Sequence, residues 1–147
     1  MNNDANLYLL GEIPARYLTD RYSNRTRTVA GQFAYMHNVR LRWLNHSSPE
    51  LVVDAEPFPR GDQPTKMRLK AALRSSEKLV ARFLEDSEAA GRVLKWNGPP
   101  ATFLGYLIAH EAHLRGLAMV AMRLAGHAPP REMVYGQWQW GKQRNVR

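Results

Sequence analysis

Three stretches of the chain place apolar residues at helical spacing. In the first, Val29, Phe33, His37, Leu41 and Leu44 follow at intervals of four, four, four and three, which lines one face of a helix. It is expected to run from about Thr28 to residues 45–48, before Pro49. His37 then points where the core is, one turn from Phe33 and Leu41, while Asn38, Arg40 and Arg42 fall to the sides or opposite. The second stretch, 65–91, carries Leu69, Leu73, Ser76, Leu79 and Phe83 on one stripe, with Lys and Arg residues flanking it, and stops at Gly91. No catalytic candidate lies on its buried face, so it reads as a structural wall. The third runs from about 102 to 125 on Phe103, Leu107, His110, Leu114, Leu117, Ala121 and Leu124, and ends at Gly126 with Pro129 and Pro130 beyond.

Between these stretches the pattern breaks. Leu7, Leu9, Leu10 and Ile13 suggest a first helix that Gly11 and Pro14 interrupt, with a short helical piece at 16–22 and a turn at Ser23-Asn24. Residues 47–64 hold four prolines and a glycine, a connection longer than helix pairs usually need. A lid over a site and an inert crossover are equally open for it. After residue 131, Met133, Val134, Trp138 and Trp140 supply enough apolar surface for a short C-terminal helix to pack back. The chain of 147 residues is expected to form one domain over 1–147, and its helical patterns alone predict an all-α bundle.

Composition narrows the chemistry. There is no cysteine, so disulfides and thiolate metal sites are excluded, and any metal must take imidazole, carboxylate or water. No stretch is apolar enough to span a bilayer and the N-terminus has no secretory pattern, so the expected location is the cytoplasm, without a membrane partner. The formal charge is +8. The positives are spaced through the sequence without a run of like charge or a nucleic-acid motif, which reads as solvated surface; nucleic acid is not the expected partner.

The histidines carry the candidate chemistry. His110 lies on the apolar seam of the third stretch, and His113, three residues on, sits about 60° around the axis. Both imidazoles can reach a point beside the helix, and His37 on a facing helix would complete a three-nitrogen set with open positions for water or substrate. Satisfied core histidines are the competing reading. His46 and His127 read as surface or cap residues. HEAH at 110–113 is not the zinc-protease motif, because its second histidine comes at three residues instead of four. Arg115 suits either the orientation of an anionic substrate or a structural salt bridge.

Three segments, TVAGQFAYMHNVRLRWL at 28–44, YLIAHEAHLRGLAMVAMRLAGHAPP at 106–130 and YGQWQWGK at 135–142, resemble the DinB/YfiT-like family of metal-dependent four-helix-bundle enzymes. The resemblance covers roughly residues 27–141. It implies an up-down four-helix bundle with a shortened first helix, one long crossover and a short C-terminal helix. It further implies a divalent metal (Zn, Ni, Fe or Mn) on His37 and His110, with His113 as the third ligand that helical spacing offers, a small-molecule substrate, possibly a thiol, and hydrolase or low-molecular-weight thiol transferase chemistry. The family's H-x-x-x-H-R-G-Q motif is matched by His110 and by Arg115-Gly116, but Leu114 stands at the second histidine and Leu117 at the glutamine. Either His113 takes over the ligand role or the site has two histidines, is weakened or is empty. A metal-free scaffold or stress-associated binding protein is the alternative function. The short first helix should leave apolar surface on the second and fourth helices, which a homodimer, common in the family, would cover.

Overall fold

The computed structural model describes residues 2–139, all of whose regular elements are helical. The helices are α1 (Asn2–Glu12), α2 (Val29–Ser47), α3 (Lys66–Ala89), α4 (Pro100–Leu124) and α5 (Arg131–Gly136), with 3-10 turns at Ala15–Tyr17 and Pro49–Val52. The chain thus forms a helical bundle of the expected kind. Its starts and stops follow local chemistry. Thr28 and Thr65 cap α2 and α3 by accepting from the N–H groups of Gly31 and Arg68, and Pro100 opens α4 where a missing N–H costs nothing. Gly91 and Gly126 follow α3 and α4 at φ values of 70° and 88°, which L side chains rarely adopt.

Contacts fix the topology. His37 meets the backbone of Ala72, and Arg40 meets Leu73 and Ser76, so α2 and α3 run parallel. Arg40 also meets Glu111, and Trp43 packs on Phe103 and Tyr106, so α4 returns antiparallel. Two parallel neighbours cannot be joined by a short turn. The chain must travel back along α2, about 28 Å for 19 residues. Residues 48–65 have ample reach for that, and the long connection is the crossover. Asn38 clamps it midway, donating to the Phe58 carbonyl at 2.8 Å and accepting from the Phe58 N–H at 2.9 Å.

α1 is half the length of its neighbours, and the core shows the consequence. One apolar cluster, with Leu9, Leu10, Phe33, Leu73 and Leu114, is enclosed by α1, α2, α3 and α4 together. The other, with Leu44, Phe83, Phe103 and Leu107, lies beyond the start of α1 and is sealed instead by aromatic rings. Trp43, Trp96, Phe103 and Tyr106 meet edge to face or tilted at centroid distances of 5.2–5.8 Å, the geometry ring quadrupoles favour.

Three expectations change. The first helix begins at Asn2, and Gly11 lies inside it instead of breaking it. The expected piece at 16–22 is only the 3-10 turn Ala15–Tyr17. Exposed large apolar side chains fall on α4, at Leu104, Ile108, Val120 and Leu124, and α2 contributes none among the described residues. Of the C-terminal helix, Arg131–Gly136 is present; Trp140 lies outside the described residues.

Candidate functional site

Between the two apolar clusters lies a layer of buried polar side chains contributed by α1, α2, α3 and α4. At its centre Arg40 and Glu111, 4% and 2% exposed, form a two-pronged ion pair: Arg40 Nε donates to Oε1 at 2.6 Å and Nη2 to Oε2 at 2.8 Å. The remaining guanidinium protons go to the Leu73 carbonyl, Ser76 Oγ and Asn3 Oδ1 at 3.0–3.1 Å. Glu111 Oε2 also accepts from Asn2 and Asn6 Nδ2 at 2.7 and 2.6 Å. The carbonyl oxygens of those two amides accept in turn from Arg115 Nη1 at 3.1 and 2.6 Å. Burial pushes the Arg115 pKa below its ordinary value, and the Glu111 carboxylate opposes the shift. A buried charge is tolerable only when paired and hydrogen-bonded on all sides, and the Arg40–Glu111 pair at the centre of this layer meets that condition.

Sequence reading missed this assembly. Arg40 was expected at the side of α2 or opposite its buried face, yet it is buried, because Glu111 and the first-helix amides enter the core to meet it. Of the two roles open to Arg115, its contacts serve the structural one, though its partners are amides instead of a carboxylate. A signal existed: Asn2 and Asn6, and Glu111 and Arg115, are i,i+4 pairs that stack polar groups on one helix face.

The three histidines lie apart from this layer and do not converge. His37 is 4% exposed and faces α3 and the crossover. Its Nδ1 is 3.0 Å from the Ala72 carbonyl, its Nε2 is 3.2 Å from the Glu56 carbonyl, and its ring stands edge-on to Phe58 at 5.5 Å. His110 is half-buried and packs against Tyr35 and Tyr106 at 5.7 and 5.8 Å. Tyr35 and His37 are two residues apart on α2 and so project about 200° from one another. α2 therefore turns His37 away from the side on which His110 packs. His113 is exposed.

A metal-bound imidazole usually donates one N–H to a carbonyl and presents its other nitrogen to the metal. The second nitrogen of His37 meets the Glu56 carbonyl instead, and among the described residues no group of three or more His, Asp or Glu side chains is placed to hold a metal ion. Leu114, at the position where the resemblance calls for a ligand, is 2% exposed and packs in the core. The residues present do not fit a three-histidine metal centre in this arrangement. One atom points the other way: His110 Nδ1 is buried without a hydrogen-bond partner.

Burial pushes the pKa of His37 down against two carbonyls that favour the charged ring, and burial also lowers that of His110, with Glu111 opposing and His113 and Arg27 assisting. The neutral His37 ring has one proton for two carbonyl oxygens. Above the crossover an open depression of about 530 Å³ is lined by Glu56, Pro57, Phe58, Pro59, Asp62 and Arg68. Its guanidinium is already engaged, 3.4 Å from Asp62 and over the Phe58 ring. His46 is exposed, and His127 Nδ1 pairs with Asp20 at 2.7 Å while its ring stacks on Tyr17 at 4.0 Å.

The molecule is thus a bundle of parallel and antiparallel helices with imidazoles on α2 and α4. A family model described as the DinB family matches residues 1–144, and the chain belongs to that family. The match takes in α1, beyond the 27–141 that the resemblance covered. No curated protein and no solved structure matches the chain.

Proposed function

We propose that this chain is a DinB-family scaffold that works by binding, without a three-histidine metal centre. The observation that carries this reading is the position of His37, whose two ring nitrogens lie 3.0 and 3.2 Å from backbone carbonyls and face away from His110. Leu114 in the apolar core supports it, as does the ion pair of Arg40 and Glu111, which fills the middle of the bundle with charges that satisfy one another.

A second reading rests on the unpartnered Nδ1 of His110. With His113 one turn away, it would hold a divalent ion (Zn, Ni, Fe or Mn) at the α4 surface, and the hydrolase or thiol transferase chemistry implied by the resemblance belongs to this reading. Elemental analysis of protein purified without added metal separates the two. The scaffold reading expects far less than one ion per chain. One ion per chain, lost in both His37→Ala and His110→Ala, would overturn it; one lost in His110→Ala and kept in His37→Ala supports the second reading.

A further inference from the structure

The charges are spread along the sequence, but those of the described residues are not evenly spread through space. The α1–α2 linker, the end of the crossover and the end of α4 meet at one end of the bundle. Lys66 Nζ donates to the Gly11 carbonyl at 2.9 Å, Thr28 Oγ1 donates to Gln63 Oε1 at 3.1 Å, and His127 pairs with Asp20. Residues 12–28, 60–68 and 123–132, which build this end, hold nine Lys and Arg against four Asp and Glu. The other described residues hold nine of each, and residues 140–147 add three positives by sequence. All the net charge of the described chain therefore sits at one end. Asp20 and Asp62 there are engaged by His127 and Arg68, and Lys66 and Arg27 are held by the Gly11 carbonyl and the Tyr35 ring. That leaves Arg21 and Arg25 as the linker arginines whose guanidinium groups have no hydrogen bond, ion pair or ring contact among the described residues.

The linker gives this charge a shape. Arg16, Arg21, Arg25 and Arg27 are exposed, and Tyr22, 40% exposed, stands beside Arg21. The turn beneath them is pinned. Thr26 N–H and Oγ1 both donate to the Ser23 carbonyl at 3.1 and 2.8 Å, and the N–H groups of Ser23 and Arg25 donate to Thr26 Oγ1 and Ser23 Oγ at 3.2 and 3.3 Å. Arg16 lies over the Tyr17 ring, which stacks on His127, so that stack is ordered as well. Guanidinium groups suit phosphate oxygens, and the exposed Tyr22 ring, next to Arg21 in the chain, offers a stacking surface for a base.

From this we infer that the arginine-rich end of the bundle binds single-stranded nucleic acid, its phosphates on Arg21, Arg25 and their neighbours and a base on Tyr22. Among the described residues this end is made of loops and helix termini, with no helix face or ribbon to enter a duplex major groove. Its exposed large side chains, Tyr22, Met67 and Leu124 among the described residues, are too few and scattered for insertion into a bilayer. None of the three candidate ligand histidines contributes, so the inference stands or falls apart from the metal content of the protein.

The test is fluorescence anisotropy of a labelled 20-nucleotide oligo(dT), and its ribose counterpart oligo(rU), titrated with the full chain from 25 to 200 mM salt. Binding should weaken with a log–log slope of about −0.7 per phosphate contacted. Arg21→Glu/Arg25→Glu, which alters two exposed linker residues, should weaken binding roughly tenfold or more and flatten the slope. Tyr22→Ala should weaken it severalfold and leave the slope unchanged, whereas Arg74→Glu/Lys78→Glu on α3 should have little effect. Absence of binding at 25 mM salt overturns the inference. So does binding that survives Arg21→Glu/Arg25→Glu in a variant with unchanged helical circular dichroism. Equal affinity for anionic phosphatidylserine vesicles or for heparin, unaffected by Tyr22→Ala, also overturns it, since it would show a polyanion surface without base contact.

Discussion

Arg40 is the residue on which the interior most depends. Its guanidinium touches Glu111 from α4, Asn3 from α1, and Leu73 and Ser76 from α3. Removing one member leaves the other charge buried and unpaired, which costs about 3–5 kcal/mol. Arg40→Met and Glu111→Leu should each lose about that much in urea unfolding. The double variant should recover part of it, because the central pair is replaced by apolar residues, while Asn2, Asn6 and Arg115 still lose the Glu111 carboxylate.

His37 makes a separate prediction about pH. Its folded pKa is lowered from the ordinary 6.5, as is that of His110. The unfolded chain therefore takes up the protons first as pH falls. Stability is complete above about 6.5 and declines through the interval below it, so the urea midpoint should drop between pH 7.5 and 5.5. In His37→Gln the midpoint should start lower and change less with pH. A midpoint that rises on acidification would contradict the assignment.

For the helices, the sequence pattern was a good guide wherever apolar periodicity was long. The bounds of α2, α3 and α4 follow from Thr28, Thr65, Gly91 and Gly126, residues whose capping and turn chemistry is local. α1 was partly hidden because its first turn is asparagine-rich, and such side chains compete with the helical backbone for hydrogen bonds. What holds that turn is Glu111 and Arg115, more than a hundred residues away, and no local window contains them. The candidate site was legible as residue types on α2 and α4 but not as geometry, since which imidazole faces which depends on how the helices rotate against one another. Leu114 illustrates the difference. By resemblance it stands at a missing ligand; in the fold it is a core residue packed with Leu9, Leu10 and Leu73. Leu114→His should therefore cost about 2–4 kcal/mol in thermal or urea unfolding, with no gain in bound metal by elemental analysis.

At the scale of the molecule, the bundle is two unlike halves joined by a polar layer. The half enclosed by α1 is ordinary aliphatic packing. The half beyond it has three long helices and uses Trp43, Trp96, Phe103 and Tyr106 to close the side a longer first helix would cover. The crossover was legible as a long proline-rich segment, but its role was not, because parallel packing of α2 and α3 is decided by contacts and not by any property of residues 48–65. The charge asymmetry was likewise invisible along the chain, since the three segments that create it are far apart in sequence.

The polar layer also sets a timetable. Asn2 and Asn6 find their acceptor at Glu111, at sequence separations of 109 and 105. A ribosome adding about 5–20 residues per second makes the first helix roughly 5–20 s before it makes the residue that helix binds. Through that interval the Asn2 and Asn6 amides and the Arg40 guanidinium lack the Glu111 carboxylate, although Asn3, Leu73 and Ser76 are made before it. The polar layer of the nascent chain is therefore completed only once α4 has been made.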